Sequence, residues 1–546
     1  MKLSKSYRYS TPLQEDRVTS GKNRRRGYLG IALLPLFVGL LTPFAAGGAE
    51  SPVVTAAAQV TSNANPVRAH SSPQIARNPK TGELAIAETD IQIGKRCAVH
   101  ISADDGRSWF PGGDPMMAPF TDCSSIATSG PYFTLEFDSD GVLYMSFQAN
   151  DPKLNVLPRS DRARHVFLAR STDGGRSFET SFVYRVPDGL TDDVRNTNRR
   201  PMVAVDPVNH RNVYVGWWQT GTPTNKRNSL IAASTDGGRT FGEPIDMSDE
   251  RGGTQPRPAV TADGVAHIVY QVTPFFAAGQ SPPIAEQPVR PLLYRRSTDQ
   301  GRTWSPPVEV DQGNAWIRAG RRWVLKADPN SSSLYVVWTG NPKTRVSYPE
   351  DDMDIYMRAS TDGGKTWSDR RLVNDDAPMA GVQHSDPGIS IAPNGRVDIA
   401  WYDFRNSPSP EIWDDNAPFS RGGMQDVYYA SSADQGRTFT KNVRITDRSI
   451  DRSIGVWSNN VHSTTTVGIS STNDSVYFTW QDSRNGNAST NAEDAYFASL
   501  KLTGSDPADE TPALAPRWVL LGSGLLMGLG VAMSLVWLTG QRRTAG

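Results

Sequence analysis

The sequence predicts an all-β protein: a seven-bladed β-propeller of four-stranded antiparallel blades, followed by a C-terminal transmembrane helix. Three observations predict it. First, the segment "STDGGRTF" at Ser234–Phe241 has near-copies beginning at Ser102, Ser171, Ser297, Ser360 and Ser432, at intervals of 69, 63, 63, 63 and 72 residues, and such regularity means repeated supersecondary units. Second, each unit reads as four short strands parted by Gly, Asn and Asp turns. Third, the 23 residues Trp518–Gly540 carry no charge and precede Arg542 and Arg543, as a membrane span with a basic inner tail does.

At the N-terminus, residues 1–26 are polar and end in Arg24, Arg25 and Arg26, and an apolar run from Gly27 to Ala46 closes on Gly47, Gly48 and Ala49. That is the layout of a secretory signal, cleaved after Ala49 or kept as an anchor. The expected domains are therefore a leader over 1–49, a propeller over 50–503, a linker over 504–516, a span over 517–540 and a basic cytoplasmic tail over 541–546. Gly524 and Gly528 form a GxxxG pair in the span, a pattern used in helix dimers. This places the chain at the cell membrane with the propeller outside the cytoplasm. Cys97 and Cys123 are the only two cysteines; on the exported side they read either as a disulfide or as two buried thiols. Lys plus Arg and Asp plus Glu number 57 each, so no global field favours nucleic acid, and electrostatic recognition must be local.

Blade three displays the unit in full. "RPMVAVDP", "NVYVGWWQ", "SLIAASTD" and "EPIDMSD" are its strands A to D, with DPVNHRN as the A–B turn. A seventh unit, "STTTVGIS", "SVYFTWQDSRN" and "DAYFASLKL", has no repeated segment and no fourth strand after it. Val54–Ser62 resembles a strand D and is expected to supply the missing one, closing the ring as an N-terminal velcro.

The pattern S-x-D-x-G-x-[ST]-[FW], matched six times, resembles the Asp-box (BNR repeat) of the sialidase-like propeller superfamily. Asp104, Asp173, Asp236, Asp299, Asp362 and Asp434 are its acidic positions. The Ser hydroxyl and Asp carboxylate bond the N–H groups of the turn, Gly supplies a positive φ, and Phe or Trp plugs between strands. The box is a structural staple, and function belongs on the opposite face with the longer loops. Because sialidases of this kind have six blades, the resemblance also implies a six-bladed alternative.

On that face, aligning the starts of strand A on Pro73, Pro201, Pro258 and Pro387 yields three columns. Arg200, Arg257 and Arg322 form a basic one in blades three to five. His70, His384 and His462 form another in blades one, six and seven, and Asp90, Asp403 and Asp482 stand at the ends of strand B in those same blades. Residues two apart on a strand face one side, so the columns are expected to converge on one channel mouth. Three guanidinium groups there suit a carboxylate, phosphate or sulfate, and the cluster looks like the sialidase arginine triad. Arg199-Arg200-Pro201 fits R-x-P, although in the third unit and without the Phe-Arg-Ile-Pro form; a Tyr/Glu nucleophile pair is not assigned, with Tyr402 and Glu411 nearby.

The His/Asp arc reads as acid/base machinery, with Asp403, Asp482 and Asp90 as candidate catalytic carboxylates, as a divalent metal site on the three histidines, or as polar groups neutralising one another in a channel. No cofactor is assigned. Asp403 and Arg405, like Asp482 and Arg484, also read as simple ion pairs. The column Trp217, Trp338, Trp401 and Trp480 reads as blade packing, while Trp218, Trp413 and Trp457 lie nearer the loops and suit ligand stacking. The functional expectation is a membrane-tethered receptor for an anionic glycan or similar small anion. A glycoside hydrolase of exo-sialidase type and a protein-interaction scaffold are the alternatives, since the fold alone does not choose.

Overall fold

The structure is a computed structural model; it describes residues 52–62, 64–90, 96–120, 123, 134–150, 164–187, 197–220, 226–273, 290–312, 323–340, 353–378, 380–408, 423–455 and 466–502. The leader, linker and C-terminal span lie outside these residues, as do Arg322, His462, Glu411, Trp413 and Trp457.

Among the described residues, seven antiparallel sheets follow one another along the chain, their local strands laid down in sequence order from the innermost outwards. The inner strands are His70–Arg77, Thr134–Phe137, Thr197–Val205, Gly253–Val260, Trp323–Ala327, His384–Ile391 and Gly468–Ser471. The six-bladed alternative is thereby excluded. In the last blade, Val53–Val54 and Ala58–Gln59 pair antiparallel with the outermost local strand, Asp494–Lys501.

Second strands are the most apolar and the most buried; Leu334–Gly340, "LYVVWTG", is buried at every position. Such strands are covered on both faces, because each blade packs on two neighbours. The core accordingly lies in the seams. Ile399, Trp401 and Tyr428 of blade six meet Tyr335, Val337 and Met357 of blade five, and the other face of blade six meets Phe478, Trp480 and Tyr496 of blade seven. Trp217, Trp338, Trp401 and Trp480 are at most 1% exposed, so this column packs the blades.

The six repeated turns gather on one face, here the lower one, and are built alike. In the turn opened by Ser234, the Ser234 hydroxyl accepts from the Gly238 N–H at 2.9 Å, and Asp236 accepts from the Thr240 N–H at 2.9 Å and the Thr240 hydroxyl at 2.6 Å. The same bonds recur at Asp104, Asp173, Asp299, Asp362 and Asp434. The Thr303 hydroxyl, the Thr303 N–H and the Ser297 hydroxyl pull the Asp299 carboxyl down to about 2. The turn also reaches beyond its own hairpin: a Cβ on Gly238, whose φ is +82°, would stand 2.5 Å from Leu168 of the preceding blade. Glycine is required there both for its left-handed backbone and for the close approach. Cys97 and Cys123 form a disulfide across a 26-residue separation, resolving the two readings of that pair.

Candidate functional site

At the upper end of the inner strands, four blades share an irregularity that the sequence alignment did not anticipate. Pairing with the second strand shifts between Ser71 and Gln74, Arg199 and Met202, Thr254 and Arg257, and Ser385 and Gly388. Each shift is a β-bulge, and each contains a non-glycine residue with positive φ followed by proline: Ser72 (64°), Arg200 (57°), Gln255 (48°) and Asp386 (65°), ahead of Pro73, Pro201, Pro256 and Pro387. Left-handed backbone is uncommon for such residues.

The bulges correct two expectations. The equivalent of Arg200-Pro201 in blade four is Gln255-Pro256, so Arg257 does not share a column with Arg200; it matches Gln74, Met202 and Gly388, the first paired residue after the bulge. Arg257 lines the central channel, where its Nη1 lies 2.6 Å from Met202 Sδ. An inserted residue also breaks the two-residue alternation on which the convergence of the columns rested.

His70 and His384 turn instead into the seams between blades, and into different ones. His384 is fully buried, with Nδ1 donating to the Met353 carbonyl at 2.8 Å and Nε2 lying 3.2 Å from Asp376 Oδ1 and 3.3 Å from Asp403 Oδ2. Burial acts to lower its pKa, but Asp403 and Asp376 overcome that and push it up to about 10. Burial likewise acts to raise Asp403, yet His384 and Arg405 hold it well below the usual carboxylate range. His70 pairs across the strands with Asp90 but lies 3.0 Å from Glu88 Oε1, the same oxygen that His100 Nε2 approaches at 3.2 Å. Here too burial opposes protonation and Glu88 outweighs it, raising the His70 pKa. Glu88 escaped the sequence reading although it stands two residues before Asp90, on the same side of the strand.

Asp403 and Asp482 occupy copies of a second repeated device. In "WYDFRN" (Trp401–Asn406) the indole of Trp401 donates to Asp403 Oδ2 at 2.9 Å, Arg405 Nε donates to the same oxygen at 2.9 Å, and Asn406 Nδ2 donates to Asp426 at 2.9 Å. In "WQDSRN" (Trp480–Asn485), Trp480 donates to Asp482 at 2.9 Å, Arg484 Nε at 3.0 Å, and Asn485 to Asp494 at 3.0 Å. Both guanidinium groups lie 4.3 Å from a tyrosine ring centre, Tyr428 and Tyr496. The ion-pair reading of Asp403 with Arg405 and of Asp482 with Arg484 matches this geometry.

The opposite side of the ring is basic. Arg199 and Arg227 lie 5.5 and 5.7 Å from the ring centre of half-buried Trp218 in blade three. Burial lowers the Arg227 pKa, and among the described residues Arg227 has no ion pair. Below the bulges, a channel cavity of about 480 Å³ runs down through Gln74, Glu136, Met202, Arg257, Lys326 and Gly388. Among the described residues no group of three or more His, Cys, Asp and Glu is placed to hold a metal ion; His70 and His384 are in separate seams.

The described blades form a β-propeller. The chain is similar to the solved structures of a Hadza microbial sialidase (15% identity, 77% of this chain and 73% of that one, TM-score 0.41) and the phage phi92 endosialidase (11%, 83% and 70%, 0.44). It is also similar to a Penicillium chrysogenum alpha-L-arabinanase complexed with arabinobiose (11%, 83% and 99%, 0.42). No family model and no curated protein matches the chain.

Proposed function

We propose that the protein is a membrane-tethered, extracytoplasmic propeller that recognises an anionic glycan on its upper face. The observation that carries this reading is the Trp218 patch. Arg227 is a half-buried cation without a carboxylate partner among the described residues, beside a half-buried indole and a second guanidinium, Arg199. A guanidinium deprived of water is stabilised by an anion that brings its own charge, and an indole offers the flat face on which a sugar ring stacks. In this reading the six turns are Asp-boxes that brace the lower face, the N-terminal strands close the ring on blade seven, and Trp518–Gly540 anchors the protein in the membrane.

An exo-sialidase-type hydrolase would use the same basic surface but needs an acid that holds a proton near neutral pH. Asp403, kept ionised by His384 and Arg405, is unsuited to that role, so turnover would require another carboxylate. The test is retention of the purified protein on an array of neutral and acidic glycans, beside Arg227→Ala and Trp218→Ala. Acidic glycans are expected to be held by the wild type and lost at least about tenfold in both variants; undiminished retention by Arg227→Ala would sink the reading.

A further inference from the structure

A second cavity, of about 780 Å³, lies on the lower face in the seam between blades seven and one, beside the turn opened by Ser102. It marks the corner at which the chain enters and leaves the ring. Val53, in the first strand, pairs with Lys501, the last residue of the last strand, and Lys501 also pairs with Ser475. Blade six carries its repeated turn at this height, where Ser432 pairs with Val397, whereas blade seven has no such turn and its chain runs on towards Trp518. Five charged side chains line the cavity: Arg77, Arg107, Lys501, Asp105 and Asp474. Both signs are present, yet none of the five is in an ion pair with a described residue. Arg77 is half-buried, 6.0 Å from the Tyr477 ring centre, with its Nε buried and without a hydrogen-bond partner; the other four are exposed. Asp105 accepts from the Tyr477 hydroxyl at 3.3 Å and Asp474 from the Thr472 hydroxyl at 2.7 Å. Opposite charges that share one cavity without pairing are open to a ligand that carries both signs. Val53 and Phe110 stand beside them, 58% and 60% exposed. Bare apolar side chains next to cations are the composition of a surface that rests on lipid headgroups. The position agrees. Sixteen residues separate Lys501 from Trp518, where the expected span begins, and a relaxed chain of that length covers about 20 to 24 Å, so this corner is held close to the bilayer.

We propose that the lower face rests on the membrane and that this cavity takes a phospholipid headgroup carrying both a phosphate and a primary ammonium, of the ethanolamine type. The proposal rests on the membrane tether of the reading above and not on its glycan. Arg77, Arg107 and Lys501 donate to the phosphate. Asp105 and Asp474 accept from the ammonium N–H groups. A headgroup that brings a phosphate alone leaves the two carboxylates unmatched, and that mismatch selects against it. The cavity has the size of a small-molecule site. With the lower face on the bilayer, Trp218 and Arg227 on the upper face are turned away from it.

The test uses the full-length protein in vesicles. Cys97 and Cys123 are the only cysteines and are joined to each other, so one added cysteine takes a fluorophore alone. Val53→Cys marks the lower corner. Val67→Cys, at a residue 42% exposed, marks the upper face, because the neighbouring Arg68 binds Asp494 at the upper end of the last strand. Lipids with a nitroxide on the acyl chain and either an ethanolamine or a glycerol headgroup are mixed, one at a time, into phosphatidylcholine vesicles, and quenching of the fluorophore is measured. The Val53 label is expected to be quenched at least about threefold more by the ethanolamine lipid than by the glycerol lipid at equal mole fraction, and the Val67 label by neither. Lys501→Gln and Asp105→Asn, both at exposed positions, are each expected to remove that preference while the protein still floats with the vesicles. Equal quenching at Val53 and Val67 would overturn the proposal, as would a wild type that prefers the glycerol lipid or neither, or a preference that survives both substitutions. A protein that floats with the vesicles and gives one of these results loses the proposal and keeps its tether. One that does not float with them loses both.

Discussion

In the turn opened by Ser234, both carboxylate oxygens of Asp236 meet donors supplied by the same eight residues. At the other end of the blades Asp386 is just as buried as the turn's serine, but it stands in a left-handed conformation ahead of a proline, which steers the preceding residue towards extended backbone. Both features repeat around the ring, and they repeat differently. The lower turns keep their chemistry and leave little to a neighbour except a glycine contact. The upper bulges keep their backbone shape and change their side chain in every blade. A structural staple keeps its side chains wherever it is used; the bulge keeps only its backbone and leaves the side chain to the surroundings of each blade.

The largest effect that separates these regions is expected at the upper seams. His384 is enclosed with Asp403, Asp376 and the Arg405 guanidinium, and His384→Ala removes one of the two cations that those acids share and leaves a space in its place. Removing one member of a buried ion network costs on the order of 3 to 5 kcal/mol, read as a fall in unfolding free energy by urea titration. A loss near zero would mean that the network is wet and that the upper seam is no more committed than the surface.

The same group sets a pH window. The folded pKa of His384 is about 10, above its unfolded value near 6.5. Its contribution is therefore fully present below about pH 6.5 and declines as pH rises through 10. Asp403 is displaced the other way, so its contribution is present above about pH 4 and is lost as pH falls through its lower folded value. Stability measured from pH 5 to 10.5 should fall at the alkaline end in the wild type and flatten in His384→Ala. A wild-type profile with no alkaline fall would place the charge elsewhere.

A smaller loss is expected from the lower face. Gly238→Ala adds a Cβ at 2.5 Å from Leu168 and forces alanine to φ +82°, for a combined cost of about 2 to 4 kcal/mol. If this loss exceeded that of His384→Ala, the lower turns rather than the upper seams would be the more exacting part of the ring.

These contrasts also explain what could be read before the structure. The repeated turn was legible because its bonds close within eight residues, so spacing alone revealed it. The Trp column and the seven units were legible for a similar reason: strand B is buried on both faces and announces itself as an apolar run. The upper face was half legible. Asp403 and Asp482 stood out, but their role depends on the copied hexapeptides Trp401–Asn406 and Trp480–Asn485, visible in the sequence only once Asp, Arg and Asn are read together. Blade four was misaligned because it has two prolines, Pro256 and Pro258, and only the pairing of Thr254 with Gln271 and Arg257 with Val269 identifies the first as the bulge. Glu88 was hidden because its partners, His70 and His100, come from two different strands.

The smallest effect tests the lower face on its own terms. Gly363 is also left-handed, at φ +71°, but a Cβ there meets nothing within 4 Å. Gly363→Ala should therefore cost only the backbone preference, about 1 kcal/mol, measured by urea unfolding beside Gly238→Ala. Asp105, Gln300 and Gln435 occupy the corresponding place in three other turns with φ between 56° and 63°, which shows that this position tolerates a side chain where Gly238 does not. Equal losses at Gly363 and Gly238 would mean that backbone strain, and not the approach to the preceding blade, fixes glycine in the turn. A smaller loss at Gly363 than at Gly238 would assign the difference to contact between blades, making the repeated turn a device that joins blades as well as one that closes a hairpin.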